Sequence, residues 1–78
     1  MTWMFEVYLA STDPGREAHF SEVVSTHGGR LDYREAPEVT GSHNVCLTYE
    51  FYSLADAEAA AQHLRSLGEH VEGISRYS

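Results

Sequence analysis

The sequence predicts an α+β sandwich over residues 1–78, a single domain in which a four-stranded antiparallel sheet of order 4-1-3-2 carries two helices on one face. Three observations lead there. Residues 45–51 (VCLTYEF) alternate apolar and polar with the period of a half-buried strand, and residues 3–9 do the same. Two helical stripes follow these strands, each bracketed by a capping residue and a glycine. The elements then run strand, helix, strand, strand, helix, strand, and right-handed crossovers on that order leave few other topologies.

Taken in order, Trp3, Phe5, Val7 and Leu9 form the apolar face of the first strand, with Met4, Glu6 and Tyr8 opposite. In Ser11-Thr12-Asp13-Pro14-Gly15, Asp13 can cap a helix, and Pro14 fits the first helical position, where a missing N–H costs nothing. Ala18, Phe20, Val23, Val24 and His27 supply the buried stripe, and Gly28-Gly29 supplies a left-handed stop. Arg30 to Glu35 is a short second strand with Leu31 and Tyr33 on one face, and Pro37 to His43 is the hairpin connection to the third. Ser53, with Asp56 three residues on, opens the second helix, whose stripe is Ala57, Ala60, Ala61, Leu64 and Leu67 before Gly68. Val71, Ile74 and Tyr77 fit neither period, so Glu69 to Tyr77 reads as an edge strand with a bulge at Gly73. This is the order of a ferredoxin-like fold. The face opposite the helices then presents Met4, Glu6, Tyr8, Arg30, Arg34, Cys46, Thr48, Glu50 and Tyr52.

Composition bounds the function. A chain of 78 residues buries only about 60% of the surface its unfolded form exposes, and 42% hydrophobic against 22% charged residues is ordinary for a folded domain. Its net charge of −7 opposes phosphate backbones and anionic membranes, so nucleic acid is not expected as a partner. A lone cysteine, Cys46, excludes an intramolecular disulfide and fits a reducing compartment. The N-terminus reads as a strand instead of a signal peptide, no segment has the apolar length to span a bilayer, and the expected location is cytoplasmic.

Three resemblances follow from particular segments. The run YEFYSLADAEAAAQHL resembles the RNA recognition motif in fold geometry, but Cys46 and Thr48 stand where that family displays stacking rings. Asp13-Pro14-Gly15, the helix after it, Gly28-Gly29 and the strand at Arg30-Leu31 resemble the ACT domain, a regulatory module. That resemblance implies an amino acid or similar small effector near the loop between first strand and first helix, at a dimer interface. Pro14-Gly15-Arg16-Glu17 with Phe20, the strand Gly29 to Tyr33, and Tyr49-Glu50 leading to Ala61-Gln62-His63-Leu64 are similar in order to the dimeric α+β barrel proteins, including the antibiotic-biosynthesis monooxygenase-like group. That resemblance implies a small cofactor-independent enzyme.

No motif names a reaction. The five histidines are scattered without HxxxH or HExxH spacing, so no metal site is expected. Glu6 and Glu50 on the central strands read as half of a charge ladder with Arg30 and Arg34. The resulting expectation is a non-enzymatic binding or regulatory module without a cofactor. Its small-molecule site is expected at Ser11, Thr12, Asp13 and Gly15, and self-association is expected through Met4, Tyr8 and Tyr52. The alternative is the small enzyme of the barrel type.

Overall fold

A computed structural model describes residues 1–36 and 44–78. The elements are β1 (Trp3–Leu9), α1 (Pro14–Thr26), β2 (Arg30–Glu35), β3 (Val45–Phe51), α2 (Leu54–Ser66) and β4 (His70–Arg76). They form one antiparallel sheet in the order β2-β3-β1-β4, the expected ferredoxin-like topology. The expected hairpin connection from Pro37 to His43 lies outside the described residues.

The central pairing of β1 with β3 sets the two faces. Trp3 lies opposite Phe51, Phe5 opposite Tyr49, Val7 opposite Leu47 and Leu9 opposite Val45, so apolar residues meet apolar residues along the whole ladder. Those side chains form one core with Phe20, Val23 and Val24 of α1 and Ala57, Ala60, Ala61 and Leu64 of α2, which places both helices on this face. The alanines of α2 let its backbone approach the sheet closely, while Phe5, Tyr49 and Phe51 fill the volume, with ring centroids 5.2 Å apart for Phe5 and Phe51.

Capping follows the local chemistry. Asp13 Oδ1 accepts the Arg16 N–H at 3.2 Å, and Ser53 Oγ accepts the Asp56 N–H at 3.3 Å. At the other end of α1 the Gly29 N–H reaches Val24 O and the Gly28 N–H reaches Ser25 O, the two bonds of a Schellman motif, and Gly28 holds φ at +79°. The Gly68 turn repeats this on Leu64 and Arg65. Two expected core positions are exposed instead. Ala18 faces solvent because Glu17 takes the adjoining place on the helix toward the sheet, and Leu67 lies past the end of α2 with its side chain 47% exposed.

Both flanking strands carry a bulge. On β4, Gly73 pairs with Phe5 and Ser75 with Met4, so Ile74 is the extra residue and reaches the core beside Val71. This accounts for the three-residue spacing of Val71 and Ile74. Gly73 sits at φ +133°, and a Cβ there would stand 3.0 Å from the Phe5 Cβ, so the position requires glycine. On β2, Leu31 pairs with Tyr49 but Tyr33 with Thr48, which makes Asp32 the extra residue and puts Leu31 and Tyr33 on opposite faces instead of together. The same shift turns Arg34 to the helix side, where it lies opposite Leu47 and its Nε donates to Glu17 Oε1 at 2.7 Å. Arg34 thus leaves the expected open-face ladder and clamps α1 to the sheet.

Among the described glycines Gly29 is the most tightly packed, since a Cβ there would lie 2.3 Å from the Phe51 ring. Gly29→Ala should therefore lower stability by about 1–3 kcal/mol through forced repacking. Gly15→Ala, where the nearest neighbour of a new Cβ is Asp13 Oδ1 at 3.8 Å, should change it by about 1 kcal/mol or less. Urea midpoints of the two variants at matched slope would check this.

Candidate functional site

The face opposite the helices is the chemically distinctive surface. On β1 it carries Met4, Glu6 and Tyr8, on β3 Cys46, Thr48 and Glu50, on β4 His70 and Glu72, and on β2 Arg30, Tyr33 and Glu35. Its two ends differ.

At one end Glu50 is nearly buried and accepts from Arg30, whose other guanidinium nitrogen lies 3.2 Å from Asp32. Tyr77, paired through its backbone N–H with Thr2 O at 2.9 Å, crosses this end and its hydroxyl donates to Asp32. Tyr77 thereby links the C-terminal end of the sheet to the β2 bulge, and Asp32 raises its hydroxyl pKa. Tyr52 stands beside Arg30 and is 74% exposed. Of the expected ladder, the Arg30–Glu50 half is present.

At the other end Glu6 organises the neighbourhood. Its Oε1 accepts the Tyr8 hydroxyl at 3.1 Å and its Oε2 the Cys46 thiol at 3.3 Å. Burial first, and then the Glu6 carboxylate, push the thiol up to about 11, and the same two causes raise Tyr8. Cys46 is therefore a neutral hydrogen-bond donor near pH 7 and not a thiolate nucleophile. The Tyr8 and His70 rings pack at 5.4 Å between centroids, and His70 Nε2 lies 2.8 Å from Glu72 Oε1. Beside them Tyr8, Leu9, Ala10, Asn44 and His70 line a shallow depression of ≈ 320 Å³, open to solvent.

The expected site at Ser11, Thr12, Asp13 and Gly15 begins one residue past Ala10 and does not line this depression. Ser11, Thr12 and Gly15 are exposed, Asp13 is engaged as the helix cap, and Arg16 just after it is held by Glu69. Of the expected contact residues, Tyr8 and Tyr52 are exposed on the open face and Met4 is half-buried there. Reasoning from periodicity missed Tyr33, Tyr77 and His70 as members of this face, because bulges and strand ends decide their side. Among the described residues no group of three or more His, Cys, Asp or Glu is placed to hold a metal ion, and no helix is long and apolar enough to cross a membrane.

Cys46 and the buried Tyr49 hold their protons more tightly in the folded chain than their ordinary values of 9.0 and 10.0, rising to about 11 and about 12. For Tyr49 burial is the main cause, with Glu17 adding to it. Groups raised in the folded state favour folding fully below the unfolded pKa, and this contribution is lost as pH climbs through the folded one. Stability should thus decline from about pH 9 upward, as read by urea denaturation across pH. In the folded protein, alkylation of Cys46 by iodoacetamide should have its midpoint near pH 11, and Glu6→Gln should move that midpoint downward.

Compared with known proteins, the chain matches no family model, no curated protein and no solved structure.

Proposed function

We propose that this chain is a small non-enzymatic binding module that takes an amino acid or a similar amine-bearing effector in the depression at the end of β1. The observation that carries this reading is the composition of that depression: Tyr8 and His70, two aromatic residues, line it with Leu9, Ala10 and Asn44, and its ≈ 320 Å³ lies at the small end of ligand-sized clefts. The Glu6 carboxylate accepts the Tyr8 hydroxyl and the Glu72 carboxylate lies 2.8 Å from His70 Nε2. An ammonium group over the Tyr8 ring gains from the ring quadrupole and from both carboxylates. The site adjoins the Ser11 to Gly15 segment expected from the sequence and lies on the sheet side of it.

A binding role also agrees with the protonation states. The Cys46 thiol and the Tyr8 hydroxyl are both pushed up away from neutral pH, so neither supplies a nucleophile or base there. The barrel-type enzyme would further need an enclosed cavity over the sheet, and the depression is open. Self-association through Met4, Tyr8 and Tyr52 is not part of this reading. A face-to-face pair would set Glu6 and Glu72 of one copy against the same carboxylates of the other.

Backbone amide NMR titrations with amino acids, with a simple alkylamine and with a dicarboxylate test the reading. Amino acids are expected to shift Tyr8 to Ala10, Asn44 and His70, the amine to bind more weakly, and the dicarboxylate to leave the spectrum unchanged; Tyr8→Ala should abolish the response. Shifts confined to Ser11 to Gly15, or equal binding of the dicarboxylate, would overturn it. Light scattering at low salt should give a monomer mass, and a dimer mass at micromolar protein would restore the self-association route.

A further inference from the structure

The sheet face is left uncovered by both helices, yet it carries most of the large exposed aromatic surface of the domain. Tyr33 is 52% exposed, Tyr52 74% and Tyr77 41%, all on or beside this face. Tyrosine is the side chain that interfaces favour, because a rigid ring gives contact area for little lost entropy while its hydroxyl still bonds. Around these rings stand the carboxylates of Glu6, Glu35 and Glu72 by register, with Asp32 at the bulge, while Glu50 is nearly buried and paired with Arg30.

One guanidinium, Arg30, answers them on this face among the described residues, and it is already engaged by Glu50 and Asp32. The other arginines that bind carboxylates or carbonyls do so elsewhere: Arg16 on Glu69, Arg34 on Glu17, and Arg65 on the Val71 and Gly73 carbonyls. The face is therefore acidic, with Arg16, Arg34 and Arg65 engaged on the helices and the β4 strand instead. Its charge repels a second copy, a nucleic acid or an anionic bilayer and attracts a polycation.

We propose that the uncovered sheet face docks a cationic polypeptide segment carrying several arginines or lysines. Their charged heads lie along the carboxylates and their methylene stems lie on the tyrosine rings, a contact that suits arginine better than lysine because its planar fork stacks and bonds at once. This surface adjoins the small-molecule depression and shares Glu6 and Glu72 with it, whereas Tyr33, Glu35 and Asp32 belong to the docking surface alone. The peptide test, with Tyr33→Ala as its separate readout, does not depend on effector binding.

The test is fluorescence anisotropy of a labelled octapeptide of alternating arginine and glycine, measured at low and physiological salt on the intact chain. Glu35→Gln with Glu72→Gln is expected to weaken binding about tenfold. Glu22→Gln with Glu58→Gln, which removes the same charge from exposed positions on the two helices, is expected to change it less than about twofold. Tyr33→Ala should weaken the arginine peptide and, to a smaller extent, its lysine counterpart. Equal losses from the two glutamate pairs would mean attraction to net charge alone and would overturn the proposal. So would peptide-induced amide shifts confined to the helices, or a dimer that shields the face and leaves the peptide unbound.

Discussion

The β1–β3 ladder is the constraint on which the remaining structure depends. Its register sets Phe5 against Tyr49 and Val7 against Leu47, so one surface is apolar throughout and buried except at the half-buried Trp3. A slip by one residue would turn Glu6, Cys46, Thr48 and Glu50 into the core and is strongly disfavoured. With that ladder in place both helices have only one surface on which to bury their stripes, and the opposite surface stays open. Two bulges, one on each flanking strand, then adjust what the outer strands contribute. The β4 bulge returns Ile74 to the core, and the β2 bulge moves Tyr33 out and Arg34 in.

Arginine carries the second level of organisation. The chain has five basic residues, and Arg16, Arg30, Arg34 and Arg65 each make a contact between separate segments. Arg34 is the clearest, its Nε and second nitrogen reaching the two Glu17 oxygens at 2.7 and 3.3 Å. A planar fork makes such clamps directional, which the point charge of a lysine would not. Arg65 also occupies two carbonyls of β4, an edge strand whose backbone would otherwise be open to pairing. The acidic character of the open face thus goes with the placement of Arg16, Arg34 and Arg65 on other contacts. It is also the feature that separates this surface from a generic sheet.

The central strands, the helix starts at Asp13 and Ser53 and the glycine stops were legible in the sequence because each rests on interactions within a few residues. Alternation of Val45, Leu47, Tyr49 and Phe51 matches that of Phe5, Val7 and Leu9, and both sets are buried. The candidate site was only half legible. Tyr8, Cys46 and Glu50 could be assigned to the open face by parity, and Arg30 with them. Parity fails once a strand carries an extra residue, and nothing local marked Asp32 as that residue.

What the sequence determined alone, then, is the kind and order of the elements, the identity of the buried stripe and the net charge of −7, since these follow from periodicity, capping chemistry and composition. Tertiary structure decided which face the β2 side chains occupy and which carboxylate each arginine answers. It also decided that the depression forms where Tyr8, Asn44 and His70 converge. Those residues come from three different strands or strand ends, and their proximity depends on pairing across the sheet. Long-range pairing energy is a property of two segments together, so neither segment's own pattern contains it.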